Sequence, residues 1–209
     1  MTSTASGPHP TSNPAKDHEP HPNPHALTHP DSNNGEVNYT PNPSASIKLS
    51  PEREKILKGI TSLYSGSASE EDMRVYTENA IYDDPWSYCD NRYKIAGQWY
   101  GLPMIMAESK TIATEVVKSS DDEIVFKLQQ FYKPKALPTG KTVDSVMPEL
   151  TEEIGLVSLK LVKEGDQEKV IYHKDMWNEK DYSHEGLGNV LKKLNGDHLT
   201  KITQPPESL

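Results

Sequence analysis

Apolar positions recur at helical spacing from residue 51 onward. Ser50-Pro51-Glu52 has the marks of a helix start: a capping serine, proline at the first helical position and an acid in the first turn. Ile56, Ile60, Leu63 and Tyr64 continue that helix on one side, and Gly66 ends it. Ser69-Glu70-Glu71-Asp72 opens a second helix like a capping box, with Met73, Tyr76 and Ala80 on its buried side. Ile81 and Tyr82 read as a short strand entering Asp83-Asp84-Pro85, because proline biases the residue before it toward extended backbone. Leu102, Ile105, Met106 and Ile112 predict a third helix from Gly101 to about Ala113, with Pro103 in its first turn.

The period then changes to that of strands. Thr114–Lys118 and Glu123–Lys133 alternate and are joined around Ser119–Asp122. Ile124, Phe126 and Leu128 share one face, and Val125, Lys127 and Gln129 the other. Residues 134–154 read as a long loop, with room for a short strand around Thr142–Val146. Gly155–Lys163 and Glu168–Trp177 form a hairpin turning at Glu164-Gly165-Asp166-Gln167. Leu187, Val190, Leu191 and Leu194 make an amphipathic helix of Ser183–Leu194, capped by Gly196, and Pro205-Pro206 ends the ordered chain.

Composition divides the 209 residues in two. Residues 1–48 hold nine of the 17 prolines and five of the eight histidines, with few apolar residues. Such a segment cannot bury enough surface to offset its ordering entropy, so a disordered tail over 1–48 and one α+β domain over 49–205 are expected. His18, His21, His25 and His29 are spaced like ligands on a helix, but Pro20, Pro22, Pro24 and Pro30 interleave with them and deny the helix. No metal site and no cofactor is expected. The formal charge of −9 argues against nonspecific nucleic-acid binding. No apolar run approaches the roughly 18 residues of a membrane span, and nothing at the N-terminus resembles a targeting segment. One cysteine, Cys89, suits a reducing compartment, so a cytoplasmic location is expected, with the nucleus left open. Phosphate-binding glycine loops, a nucleophile elbow and HExxH are all missing from the text.

Two constellations carry candidate chemistry. On the last strand, "VIYHKDMWN", alternation places Ile171, His173, Asp175 and Trp177 on one face and Tyr172, Lys174 and Met176 on the other. A face with His173, Asp175 and Trp177 suits proton transfer beside a flat ligand. If Tyr172 and Met176 point inward instead, His173 and Asp175 face solvent. The second constellation is Asp83-Asp84 in "IYDDPW". Neighbouring strand residues point to opposite faces, so only one of the two can face a cavity. Beside Trp86 and Tyr88 that carboxyl would act as an acid or base; the alternative is a turn in which Asp bonds its own backbone. Tyr88, Tyr93, Trp99 and Tyr100 read as an aromatic cavity mouth, or equally as core or a dimer interface, and Trp86 joins them as a ligand-binding candidate. Cys89 reads as a small buried residue.

The order of helix, helix, short strand, helix and long antiparallel strands resembles the SnoaL-like, nuclear transport factor 2-like superfamily. "MRVYTENAIYDDP" carries the likeness, through Met73, Tyr76, Ala80, Tyr82, Asp84 and Pro85. The stretches "DDPWSYCDNRYKIAGQWYG" and "YHKDMWNEKDYSHEGLG" also resemble a family of fungal proteins of this fold with no assigned reaction. The resemblance spans about residues 50–180. It implies a cone: a curved antiparallel sheet wrapped around the leading helices, with a cavity at one end; the C-terminal helix of Ser183–Leu194 is an addition outside that pattern. The cavity would hold a small apolar ligand and support cofactor-free proton transfer of the dehydratase, isomerase or cyclase type. His173 would be acid or base, Asp83 or Asp84 its partner, and Tyr88 or Tyr93 a donor to an oxyanion. The other implied role is a non-catalytic ligand- or protein-binding module. A homodimer is the expected assembly.

Overall fold

The computed structural model describes residues 39–135, 152–177, 187–206 and 208. The expected histidine cluster, residues 1–38 of the tail and most of the 134–154 loop lie outside them. Two helices open the domain, α1 (Pro51–Tyr64) and the single turn α2 (Glu70–Met73). Then come β1 (Tyr76–Asp83), β2 (Tyr88–Cys89), α3 (Arg92–Ile105), β3 (Met106–Ser120) and β4 (Glu123–Pro134). After these stand β5 (Glu152–Glu164), β6 (Gln167–Trp177) and α4 (Leu187–Thr203).

The start of α1 is the one the sequence specifies. The Ser50 hydroxyl accepts the Arg53 amide at 3.3 Å, with Pro51 at the first position. Arg53 then staples the helix to the sheet. Its guanidinium donates to both Glu168 carboxylate oxygens, at 2.7 and 2.9 Å, and to carbonyls in the β3–β4 turn.

Two expected helices are corrected. The second is one turn long, and Tyr76 and Ala80 lie on β1, where Tyr76 pairs with Val170. Their spacing satisfies a strand of inward-facing residues as well as a helix, and pairing with β6 decides between them. The third begins at Arg92, not Gly101. Asn91 caps it by accepting the Lys94 amide at 2.9 Å, and Pro103 sits in its last turn. Met106 and Ile112 therefore belong to β3.

The six strands form one sheet in the order β2-β1-β6-β5-β4-β3. The expectation of an α+β fold with a long-stranded sheet holds, with one difference: β1 and β6 run parallel, and every other pair is antiparallel. Register shifts interrupt β1, the β3–β4 pair and the β5–β6 pair; such bulges bend strands and increase their twist. Gly165, at φ +65°, leads the two-residue turn between β5 and β6. Ile56, Ile60 and Leu63 of α1 and Ile95 and Ala96 of α3 fill the inner face against Phe126, Leu128, Val157 and Leu159. On the outer face Val125, Leu156 and Met176 pack with Tyr39.

Residues 39–48 run along β3, where the Ile47 amide donates to the Val116 carbonyl at 2.9 Å and the Asn42 amide to Glu115 at 2.7 Å. Gly196 is also reassigned. It lies inside α4, not at its end, and only a glycine fits there, since a Cβ would fall on the Tyr88 carbonyl oxygen.

Candidate functional site

A cavity of about 590 Å³ opens between the β1–β6 end of the sheet, the last turns of α3 and the C-terminal half of α4. Its apolar wall includes Leu102, Met104, Ile105, Met106, Leu199 and Ile202. The polar part of the lining consists of Asp84 and Asp175 with Tyr64, Tyr82, Ser87, Gln98, Tyr132, Asn195 and Thr203. No cationic side chain stands among the described lining residues.

Alternation on β6 places His173 and Asp175 on the inner face, as one of the two sequence readings had it. The bulge between Tyr172 and Val170 removes Ile171 from that face: Ile171 packs with Ile81 and Tyr172 on the other side, and Val170 points inward. His173 is fully buried and lies behind the cavity wall, not in it. Its Nδ1 is 2.7 Å from the Tyr76 hydroxyl and its Nε2 3.1 Å from the Tyr64 hydroxyl. Tyr64 donates its one proton to Asp175 Oδ2 at 2.5 Å. Nε2 must then be the protonated nitrogen and donate to Tyr64, which leaves Nδ1 to accept from Tyr76. The result is a directed chain, Tyr76 to His173 to Tyr64 to Asp175, that ends on a carboxylate at the cavity. Burial pushes the His173 pKa down to about 3, so the ring is neutral. Burial raises the phenols of Tyr64, Tyr76 and Tyr82 well above their ordinary value, and all three stay protonated. His173 is thus bonded to tyrosines, and not to Asp83 or Asp84 as the sequence reading supposed.

The Asp83-Asp84 pair divides as strand geometry requires. Asp84 stands at the cavity. Its Oδ2 accepts from Tyr82 at 2.8 Å, and its Oδ1 accepts the Trp86 and Ser87 amides at 2.7 and 2.5 Å. The turn reading and the cavity reading of Asp84 are therefore both realised in one side chain. Asp83 faces the other side of the sheet, bonded to Lys174 Nζ at 2.6 Å and to Tyr172 at 3.3 Å, all buried.

Of the aromatic candidates, Trp99 lines the cavity, edge-on to Tyr64 and Tyr82 with ring centroids 4.8 and 5.4 Å apart. Trp86 stands on the rim, 54% exposed. Tyr88 packs with Ile81 and Tyr172 and lies outside the cavity wall. Tyr93, on the first turn of α3, lies outside it too. Neither is placed to donate to a bound oxyanion. Trp177 is the last residue of β6, opposite Gly155, and its side chain lies outside the described residues. Cys89 is fully buried, and burial raises its thiol well above the ordinary value, as suits a packing residue.

Sequence reasoning missed Tyr64, Tyr132, Ser87, Gln98 and Asn195 as site residues. Tyr64 was read as core by its helical spacing. Gln98 was out of reach because α3 was placed nine residues too late. Among the described residues no group of three or more His, Cys, Asp or Glu is arranged to hold a metal. No described helix is long and apolar enough to cross a membrane.

No protein-family model matches the sequence, and a comparison with curated proteins finds no match. Solved structures of similar fold exist. An NTF2-like protein from Anabaena variabilis, 11% identical, has a TM-score of 0.46 over 66% of this chain and 98% of its own. A phenazine biosynthesis-related protein from Pseudomonas aeruginosa, 13% identical, has a TM-score of 0.46 over 61% and 79%. A protein with a ketosteroid isomerase-like fold from Catenulispora acidiphila, 13% identical, has a TM-score of 0.41 over 61% and 85%.

Proposed function

We propose that the cavity holds a small, largely apolar molecule and that Asp175 moves a proton on it without a cofactor. What supports this reading is one arrangement: a mostly apolar chamber with the Asp175 carboxylate in its wall, held by Tyr64, which is itself bonded to the neutral His173. A carboxylate fixed in an apolar, partly water-excluded site is suited to take a proton from carbon next to a carbonyl. The ionised Asp175 would accept that proton and become the neutral acid, leaving an enolate. Returning the proton to another carbon completes an isomerisation; returning it to a departing hydroxide completes a dehydration. His173, which does not reach the cavity, is a positioning residue acting through Tyr64. Asp84, bound by three donors, is held as an acceptor and gives the chamber a second negative group.

The test is carbon-acid exchange. Incubated in D₂O with 2-tetralone, the protein is expected to speed deuterium incorporation beside the carbonyl, read by proton NMR. Asp175→Asn should lower that rate about a hundredfold or more, the usual scale of general acid–base catalysis, with binding retained. Binding of the ketone with no exchange above buffer would reject catalysis. It would leave the second reading, a ligand- or partner-binding module, favoured by the exposed apolar rim of Trp86, Met104, Ile105 and Ile202. A homodimer belongs to either reading, and sedimentation of the purified chain decides it.

A further inference from the structure

One wall of the cavity is a single side of α4. Asn195, Leu199, Ile202 and Thr203 line it, at the spacing of one helix face. Backbone packing fixes where that wall stands. Thr200, among these residues, meets α3 at Gly97, where a Cβ would lie 2.8 Å from its Cγ2 and 3.1 Å from its amide nitrogen. Gly196 meets β2, with the Tyr88 carbonyl oxygen in the place a Cβ would take. At both points one backbone rests on another element, so no side chain there can give way. Side chains fasten the same stretch. Asn195 Nδ2 donates to the Trp86 carbonyl at 3.2 Å and to the Ser87 hydroxyl at 3.1 Å, and Asp197 pairs with Lys94 of α3 at 2.7 Å. α4 thus stands at a set distance from α3 and β2. The room left on this side of the cavity depends on what the helix projects into it.

The four lining residues differ in what they offer a ligand. Asn195 spends its amide nitrogen on Trp86 and Ser87, and the Thr203 hydroxyl donates to the Leu199 carbonyl at 2.9 Å. Ile202 is 66% exposed and belongs to the rim. Leu199 is half-buried in the wall, one turn from each of the others. We infer that Leu199 is the specificity-determining residue of the cavity, and that it selects ligands by the size of their apolar body. The inference rests on the cavity reading above and names what that cavity discriminates. A leucine side chain has no polar atom, so it reads shape whatever polar groups the ligand carries. One methylene too many or too few against such a wall is worth about tenfold or more in affinity. The fixed seam makes that discrimination effective, because a wall free to retreat would admit the larger ligand at little cost.

The experiment compares a two-ring and a three-ring ketone, 2-tetralone and its benzo-fused homologue. Both are titrated against tryptophan fluorescence, since Trp99 lines the cavity and Trp86 stands on its rim. The measured quantity is the ratio of their dissociation constants. Leu199→Ala is expected to shift that ratio toward the three-ring ketone by about tenfold, and Leu199→Phe to shift it the other way by a similar factor. Lys201→Ala, on the exposed side of α4, is expected to leave it unchanged. Opposite shifts from a smaller and a larger side chain are what a size-reading wall produces; a general loosening of α4 would move both variants alike. Shifts of the same sign, ratios within about threefold of the unaltered protein in both variants, or an equal shift in Lys201→Ala each overturn the assignment of Leu199 and leave the cavity reading in place. If one Leu199 variant does not fold, the other decides by the sign and size of its shift. Failure of both ketones to bind the unaltered protein overturns the cavity reading and this inference with it.

Discussion

His173 shows how one buried residue ties stability to pH. Its imidazole makes two hydrogen bonds and is sealed from water, and burial lowers its pKa from 6.5 to about 3. In the unfolded chain the same ring takes a proton near pH 6.5. Between those values the unfolded state binds the extra proton, so its stability contribution is full above pH 6.5 and is lost as pH falls toward 3. His173→Gln can accept from Tyr76 and donate to Tyr64 but cannot titrate. Urea unfolding at pH 7 and at pH 4.5 should show the unaltered protein losing about 2–3 kcal/mol more than the variant. Equal acid sensitivity in the two proteins would mean that the ring is not a buried neutral group. At this scale the sequence was informative about faces and silent about depth. Strand alternation correctly separated Asp83 from Asp84 and His173 from Lys174. It could not say that Asp84 is the cavity residue, because that depends on which side of β1 the helices cover. It could not say that His173 lies behind Tyr64, because that depends on a tyrosine more than one hundred residues away.

The elements were legible where local signals were strong. Ser50-Pro51 and Gly165 each specified one end or turn, and both are found as read. Where two periods fit one text, tertiary pairing decided: Tyr76 and Ala80 were taken by β6 into β1, and the start of α3 moved back to Arg92. Gly196 is the clearest case of a signal with two meanings. A glycine after an apolar helical run usually marks a helix end, yet here it marks the place where α4 meets the Tyr88 backbone. In an isolated helix Gly196→Ala would be stabilising by about 1 kcal/mol. In this fold the added methyl falls on a carbonyl oxygen and 3.2 Å from Cys89 Sγ, both held by the sheet. Overpacking of that kind costs about 1–3 kcal/mol, so thermal unfolding should move down by several degrees. An unchanged or raised midpoint would show that α4 docks loosely enough on β2 to make room for the methyl.

At the scale of the whole molecule, the sheet has two edges and deals with them differently. β2 is only two residues long and lies under α4. β3 has 15 residues and would offer a long row of open amides and carbonyls, a template for pairing with another chain. Residues 42–47 occupy part of that row: Ile47 donates to the Val116 carbonyl, the Ser46 hydroxyl accepts the Val116 amide at 3.0 Å, and the Asn42 amide caps Glu115. Glu115 is also the partner of the buried Lys127, at 3.0 Å, so the segment helps hold an ion pair as well as an edge. Composition assigned these residues to the tail because Tyr39 and Ile47 are too sparse to read as an element. Their binding depends on a strand edge some seventy residues further on. Two truncations separate this stretch from what precedes it. A chain beginning at residue 49 is expected to melt lower than one beginning at 39. Three hydrogen bonds at about 1 kcal/mol each and the burial of Tyr39, less the entropy of ordering the segment, leave roughly 1–3 kcal/mol. That corresponds to a few degrees in a domain of this size. The shorter chain should also self-associate through the uncovered edge, seen as a concentration-dependent rise in sedimentation coefficient that the longer chain lacks. Equal melting and equal sedimentation of the two chains would mean that the segment merely rests on β3, and that the bulged, twisted strand protects its own edge.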